Sequence, residues 1–131
     1  MKRFLLPLLA AFALPTAVSS ETWILISSSK DQSNYIDASS VVKNGYRRYA
    51  TIKYQGTYST NEAGIKADCN EKQYFVSQVI AIGIPVKSHF KRKSKDYWVS
   101  VFSDGSEHKM NLEKNVKHHE GIYQFLCKEW K

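Results

Sequence analysis

The sequence predicts an α+β domain: an antiparallel β-sheet of about five to six strands, a C-terminal α-helix packed on it, and one disulfide. Three observations lead there. Short runs rich in β-branched and aromatic residues recur between Asn-Gly, Asp-Gly and serine-rich turns. Only the stretch from Glu113 onward places its apolar residues at helical spacing. The chain has 2 cysteines, Cys69 and Cys127, far apart in sequence.

The 131 residues divide into a secretory signal peptide, 1–20, and a single domain, 21–131. Met1-Lys2-Arg3 is the positive start, Phe4 to Leu14 the apolar run, and Ala17-Val18-Ser19-Ser20 the small residues a peptidase accepts. A spanning helix needs roughly 20 apolar residues. This run is much shorter and is interrupted by Pro7. No later stretch could cross a bilayer as a helix, and no cysteine lies near the cut to take a lipid. The expected location is therefore secreted or periplasmic, with no transmembrane segment in the mature chain. Export in turn makes Cys69–Cys127 a disulfide, because an even pair in a small oxidised domain is most often bonded. A content of 43% hydrophobic and 13% aromatic residues excludes a disordered or collagenous chain and supplies one core.

Along the domain, Trp23 to Ile26 reads as the first strand and Ser27 to Asn34 as a polar turn. Tyr35-Ile36-Asp37 is a short extended piece, after which Asp37 can accept hydrogen bonds from following backbone N–H groups. Val41-Val42 leads to Asn44-Gly45, a hairpin signal. Tyr46 to Tyr58 is the longest strand. Its alternation puts Tyr46, Arg48, Ala50, Ile52 and Tyr54 on one face and Arg47, Tyr49, Thr51, Lys53 and Gln55 on the other. Neither set is purely apolar, which suggests a half-solvated or edge strand. Ser59 to Gly64 reads as a loop, Ile65 to Cys69 as a short strand and Lys72 to Ile84 as a central strand. Val86 to Lys93 alternates loosely into a basic cluster. Tyr97 to Phe102 is a strand, and Ser103-Asp104-Gly105-Ser106 turns it back toward His108 to Leu112. From Glu113, Val116, His119, Ile122, Phe125 and Leu126 form the helix stripe. Gly121 in its middle costs about 1 kcal/mol of helix propensity.

Catalytic patterns are absent from the sequence. No serine sits in a nucleophile-elbow context, no Gly-rich phosphate loop occurs, and the carboxylates are scattered. His118 and His119 point to different sides of a helix, so they do not make a metal pair, although His108 and Glu120 nearby could complete a weak site. No metal or other cofactor is expected, and the chain reads as a non-enzyme.

Two basic, aromatic regions stand out instead. Lys87, Lys91, Arg92, Lys93 and Lys95 crowd around Phe90. Arg47, Arg48, Tyr49 and Lys53 lie on the long strand beside Tyr46, Tyr54 and Tyr58. Clustered cations attract anionic partners, and Tyr and Arg are enriched at recognition surfaces. The expected partner is a protein or an anionic polymer outside the cell, not intracellular nucleic acid. A homodimer is left open.

Taken in order, Trp23, Tyr35-Ile36-Asp37 with Ser39-Ser40, the long polar-aromatic strand, Asp68-Cys69, Tyr97-Trp98 and Cys127 in a final helix resemble the surface-adhesin protein E-like family of small exported bacterial proteins. The correspondence spans about residues 22–128. It implies an antiparallel sheet, a packed helix, a Cys–Cys bond and a binding role without catalysis. The corresponding expectation is an exported recognition domain with a macromolecular, anionic partner. The alternative is a periplasmic inhibitor of a cell-wall-acting enzyme, with Asp104 to Asn115 as the loop that enters a cleft.

Overall fold

The computed structural model describes residues 21–79 and 85–130. The expected signal peptide lies outside the described residues, as does the 80–84 end of the expected strand from Lys72. The elements are β1 (Trp23–Ser28), β2 (Gln32–Asp37), a 3-10 turn (Ala38–Ser40), β3 (Val42–Asn44), β4 (Arg47–Gly56) and β5 (Thr60–Asp68). They continue with β6 (Gln73–Val79), β7 (Pro85–Ser94), β8 (Tyr97–Val101), β9 (Glu107–Lys109) and helix α1 (Glu113–Cys127). All strands join one antiparallel sheet in the order β1-β2-β4-β5-β6-β7-β8-β9, with β3 pairing β4.

The α+β architecture matches expectation, but among the described residues the sheet has 9 strands, more than the five to six expected. The extra strands are short or polar. β3 and β9 have 3 residues each and no buried side chain. β5 includes most of the stretch read as a loop, because its outward residues, Glu62, Gly64 and Lys66, alternate with buried Ala63, Ile65 and Ala67. The basic cluster is likewise a strand for most of its length, since β7 runs from Pro85 to Ser94. β4 is not an edge. It pairs with β5 along nearly its whole length and with β2 and β3 on its other side. Its mixed composition reflects one buried and one solvated face.

Helix α1 covers the buried face. Ile36, Ala50, Ile52, Ala63, Ile65, Ala67, Tyr74, Val76 and Trp98 meet Ile122 and Leu126 there. Burying one such large side chain is worth about 1.5–3 kcal/mol. Cys69 follows β5, Cys127 ends α1, and their Cα atoms are 5.6 Å apart in the disulfide. This bond ties the end of the helix to the sheet. Gly121 now has a reason: a Cβ there would meet Ile26 Cγ2 of β1 at 3.0 Å. The two hairpin glycines, Gly45 at φ 60° and Gly105 at φ 86°, adopt the left-handed conformation those turns require. After β2, Asp37 accepts from the Thr22 and Ser39 N–H groups and the Ser39 hydroxyl. The Ser39 hydroxyl bond is the main reason its carboxyl stays below its ordinary pKa.

Candidate functional site

The face of the sheet turned away from α1 gathers most of the cations singled out from the sequence. Register fixes its membership. Arg47 lies opposite Asp68, which lies opposite Gln73, then Lys91, Val99 and Lys109. One step along the strands, Val42, Tyr49, Lys66, Phe75 and His89 form a parallel row. Tyr35, Lys53 and Glu62 form another, and Lys87 sits opposite Ser77. Because side chains alternate with period two, the whole set projects from one side.

Aromatic rings hold several of these cations in place. Lys53 Nζ lies 4.3 Å from the Trp23 ring centroid and 5.1 Å from that of Tyr35. Lys109 Nζ is 5.0 Å from Tyr97, and Arg47 Cζ is 5.4 Å from Tyr46. His89 stacks on Phe75 at 4.1 Å, and its Nε2 meets Gln73 Oε1 at 2.8 Å. Burial, then the charge of Lys91, lowers the His89 pKa. Each exposed cation–ring contact is worth about 0.5–1 kcal/mol, enough to bias a lysine rotamer without removing its charge from solvent. Among the described residues, Lys66, Lys87, Lys91 and Lys109 form no ion pair, whereas Lys93 bonds Glu107 at 2.9 Å.

Two of the nine sequence-selected residues turn the other way. Arg48 is 5% exposed and points to the helix side. It donates to the carbonyls of Leu126 at 3.1 Å, Gly45 at 2.7 Å and Arg47 at 2.9 Å. Placed at the last turn of α1, its charge also opposes the negative end of the helix dipole. Arg92 makes a two-pronged bond to Glu120, Nε to Oε1 at 2.8 Å and Nη2 to Oε2 at 3.1 Å. Trp98 and Gln124 donate to the same carboxylate. Burial alone would raise the Glu120 pKa, but the bonds from Arg92, Gln124 and Trp98 outweigh it and hold it low. Arg48 and Arg92 are thus fasteners between sheet and helix. Lys95 is exposed in the β7–β8 turn, beside the cleft between that turn and α1. Lys66 and Lys109 were missed by sequence reasoning. Their signal, a cation alternating with buried residues or pairing across a short hairpin, depends on the register.

The histidines divide the same way. His119 is buried, hydrogen-bonded to the Tyr74 hydroxyl and packed on Phe90 and Trp98. Ser27 Oγ meets His118 Nδ1 at 2.7 Å and accepts from Asn34 Nδ2 at 2.9 Å. Burial lowers His118 to about 4, which leaves it a weak base. This pair works as a strut between β1 and α1. His108 stacks on Phe102 at 4.2 Å, remote from that pair in its role. Among the described residues no cluster of three or more His, Cys, Asp or Glu side chains could hold a metal ion. Asp104 to Asn115 folds into a turn tied by Ser106 to Asp104, then β9, then the start of α1. No helix of the described residues is long and apolar enough to cross a membrane.

No family model, no curated protein and no solved structure matches the chain.

Proposed function

We propose that the chain is an exported, non-catalytic recognition domain, similar in role to surface-adhesin protein E-like proteins, that binds an anionic macromolecular partner at the envelope or outside the cell. The observation that carries this reading is the open sheet face, where Arg47, Lys53, Lys66, Lys87, Lys91 and Lys109 stand together across the register. Its acidic members are few. Glu107 is paired with Lys93, Asp68 accepts from the Asn70 and Glu71 N–H groups, and Glu62 lies beside Lys53. Same-sign charge on one surface raises the local concentration of counter-charged partners and speeds their capture. The signal peptide expected over residues 1–20 and the Cys69–Cys127 disulfide support a role outside the cytoplasm. Arg48 and Arg92 are spent in fastening the helix, which leaves the cations of the other face for a partner.

The test is chromatographic. The mature chain should bind a sulfated-polysaccharide resin at low salt and elute by about 0.3 M salt, where screening shortens to several ångströms. Replacing Lys53, Lys66, Lys87 and Lys91 together by Gln should abolish retention. Unchanged retention of that variant would remove the open face from the account.

A further inference from the structure

Several rings of the open face already have a neighbouring side chain over them. Trp23 and Tyr35 carry Lys53, Tyr97 carries Lys109, and Phe75 carries His89. A single-stranded nucleic acid is held on a basic sheet by stacking its bases on aromatic planes, worth about 1–3 kcal/mol per base. A protein partner is held by aromatic anchors at the centre of its footprint. Neither use suits rings that already lie against a lysine or an imidazole. What remains on offer is charge, arranged from Lys53 on β4 through Lys66 on β5 and Lys91 on β7 to Lys109 on β9. β4 to β9 is five strand steps in the sheet order. At the usual spacing these cover about 24 Å across the strands, and because Lys53 is opposite Glu62 while Lys91 lies on the Asp68 row, the cations suit a linear polymer crossing the strands obliquely. Leu25 and Val42, exposed apolar residues of this face, belong to β1 and β3, outside the span from β4 to β9.

Resting on the recognition role proposed above, we propose that the open face binds an extended acidic polysaccharide, reading its sulfate or carboxylate groups rather than stacking on its rings. Trp23, Tyr35 and Tyr97 act from below: they hold Lys53 and Lys109 in place, so that fewer rotamers are lost when the polymer arrives. Lys53, Lys91 and Lys109 each contact one acidic group in turn, and the affinity falls with salt as bound counterions are released.

Three probes of matched charge test this on the mature chain: a heparin-derived octasaccharide, an oligothymidylate and an oligoglutamate, each titrated by calorimetry at low salt. The octasaccharide should bind at least tenfold tighter than the other two. The double variant Lys66→Gln/Lys109→Gln should lose at least tenfold for the octasaccharide. Lys114→Gln/Lys117→Gln, which removes the same charge from α1, should lose less than twofold. Equal or tighter binding of the oligothymidylate or the oligoglutamate overturns the polysaccharide assignment and leaves anion recognition standing. Binding of none of the three overturns both. Equal losses in the two double variants show attraction by net charge alone and also overturn the assignment.

Discussion

Two pairs of neighbouring residues show how one sheet serves two purposes. Arg47 and Arg48 are adjacent on β4, and Lys91 and Arg92 are adjacent on β7. Arg48 and Arg92 face α1 and spend their guanidinium donors on Leu126 and Glu120. Arg47 and Lys91 face away, and Arg47 lies over a tyrosine ring instead. A cation one position along the strand thus changes from structural fastener to solvent-facing charge, the part the proposed recognition needs. What decides between them is strand parity, not local composition. The helix-covered face should therefore respond to mutation through stability and the open face through binding.

The largest effect belongs to the bond that joins the faces. Replacing Cys127 by Ser opens a link closing a 58-residue separation. Chain entropy makes that worth about 4 kcal/mol, read as a fall in the urea midpoint with a rise in m-value, since the opened denatured chain exposes more surface. Next come the fasteners. Arg48→Met strands the Leu126 carbonyl beneath the sheet, and Arg92→Met leaves the Glu120 carboxylate without its main partner. Each should cost about 2–4 kcal/mol, whereas Arg47→Met and Lys91→Met should stay within about 0.5 kcal/mol. Similar losses for the paired neighbours would contradict the division of the sheet.

Acid sharpens the contrast. Burial lowers His118 to about 4, and burial together with the charge of His118 lowers His119 to about 3. Both are neutral in the folded chain but gain a proton on unfolding below about pH 6.5. Their contribution to stability is complete above that pH and is lost as pH falls toward the folded values, by roughly 1.4 kcal/mol per pH unit for each. Urea midpoints measured from pH 7 to pH 4 should fall accordingly, and a flat profile would count against the buried helix face. The open face should do the opposite. His89, held low by burial and by Lys91, gains charge on acidification and should tighten anion binding, a modest gain that His89→Gln removes.

Much of the fold was legible because the signals were local. The glycine turns at Gly45 and Gly105, the Asp37 bonds after β2, the helix stripe from Val116 to Leu126 and the two cysteines each declare themselves within a few residues. The strand count was not, because β3, β9 and the first half of β5 contain too little apolar residue to announce a strand. They exist because a longer neighbour offers them a hydrogen-bonding edge. The site was half legible. The alternation of β4 already separated Arg47 from Arg48, but nothing local said which set α1 would cover. For β7 the basic residues hid the alternation, so Lys91 and Arg92 read as one cluster. Lys66 and Lys109 joined the face only through pairing with strands distant in sequence.

The most direct measurement is a backbone and side-chain NMR titration of the mature chain with the sulfated octasaccharide. Shifts concentrated at Arg47, Lys53, Lys66, His89, Lys91 and Lys109, with α1 unmoved, are the result this account predicts. Shifts gathered instead along the exposed side of α1, at Glu113, Lys117 and Gln124, would contradict it.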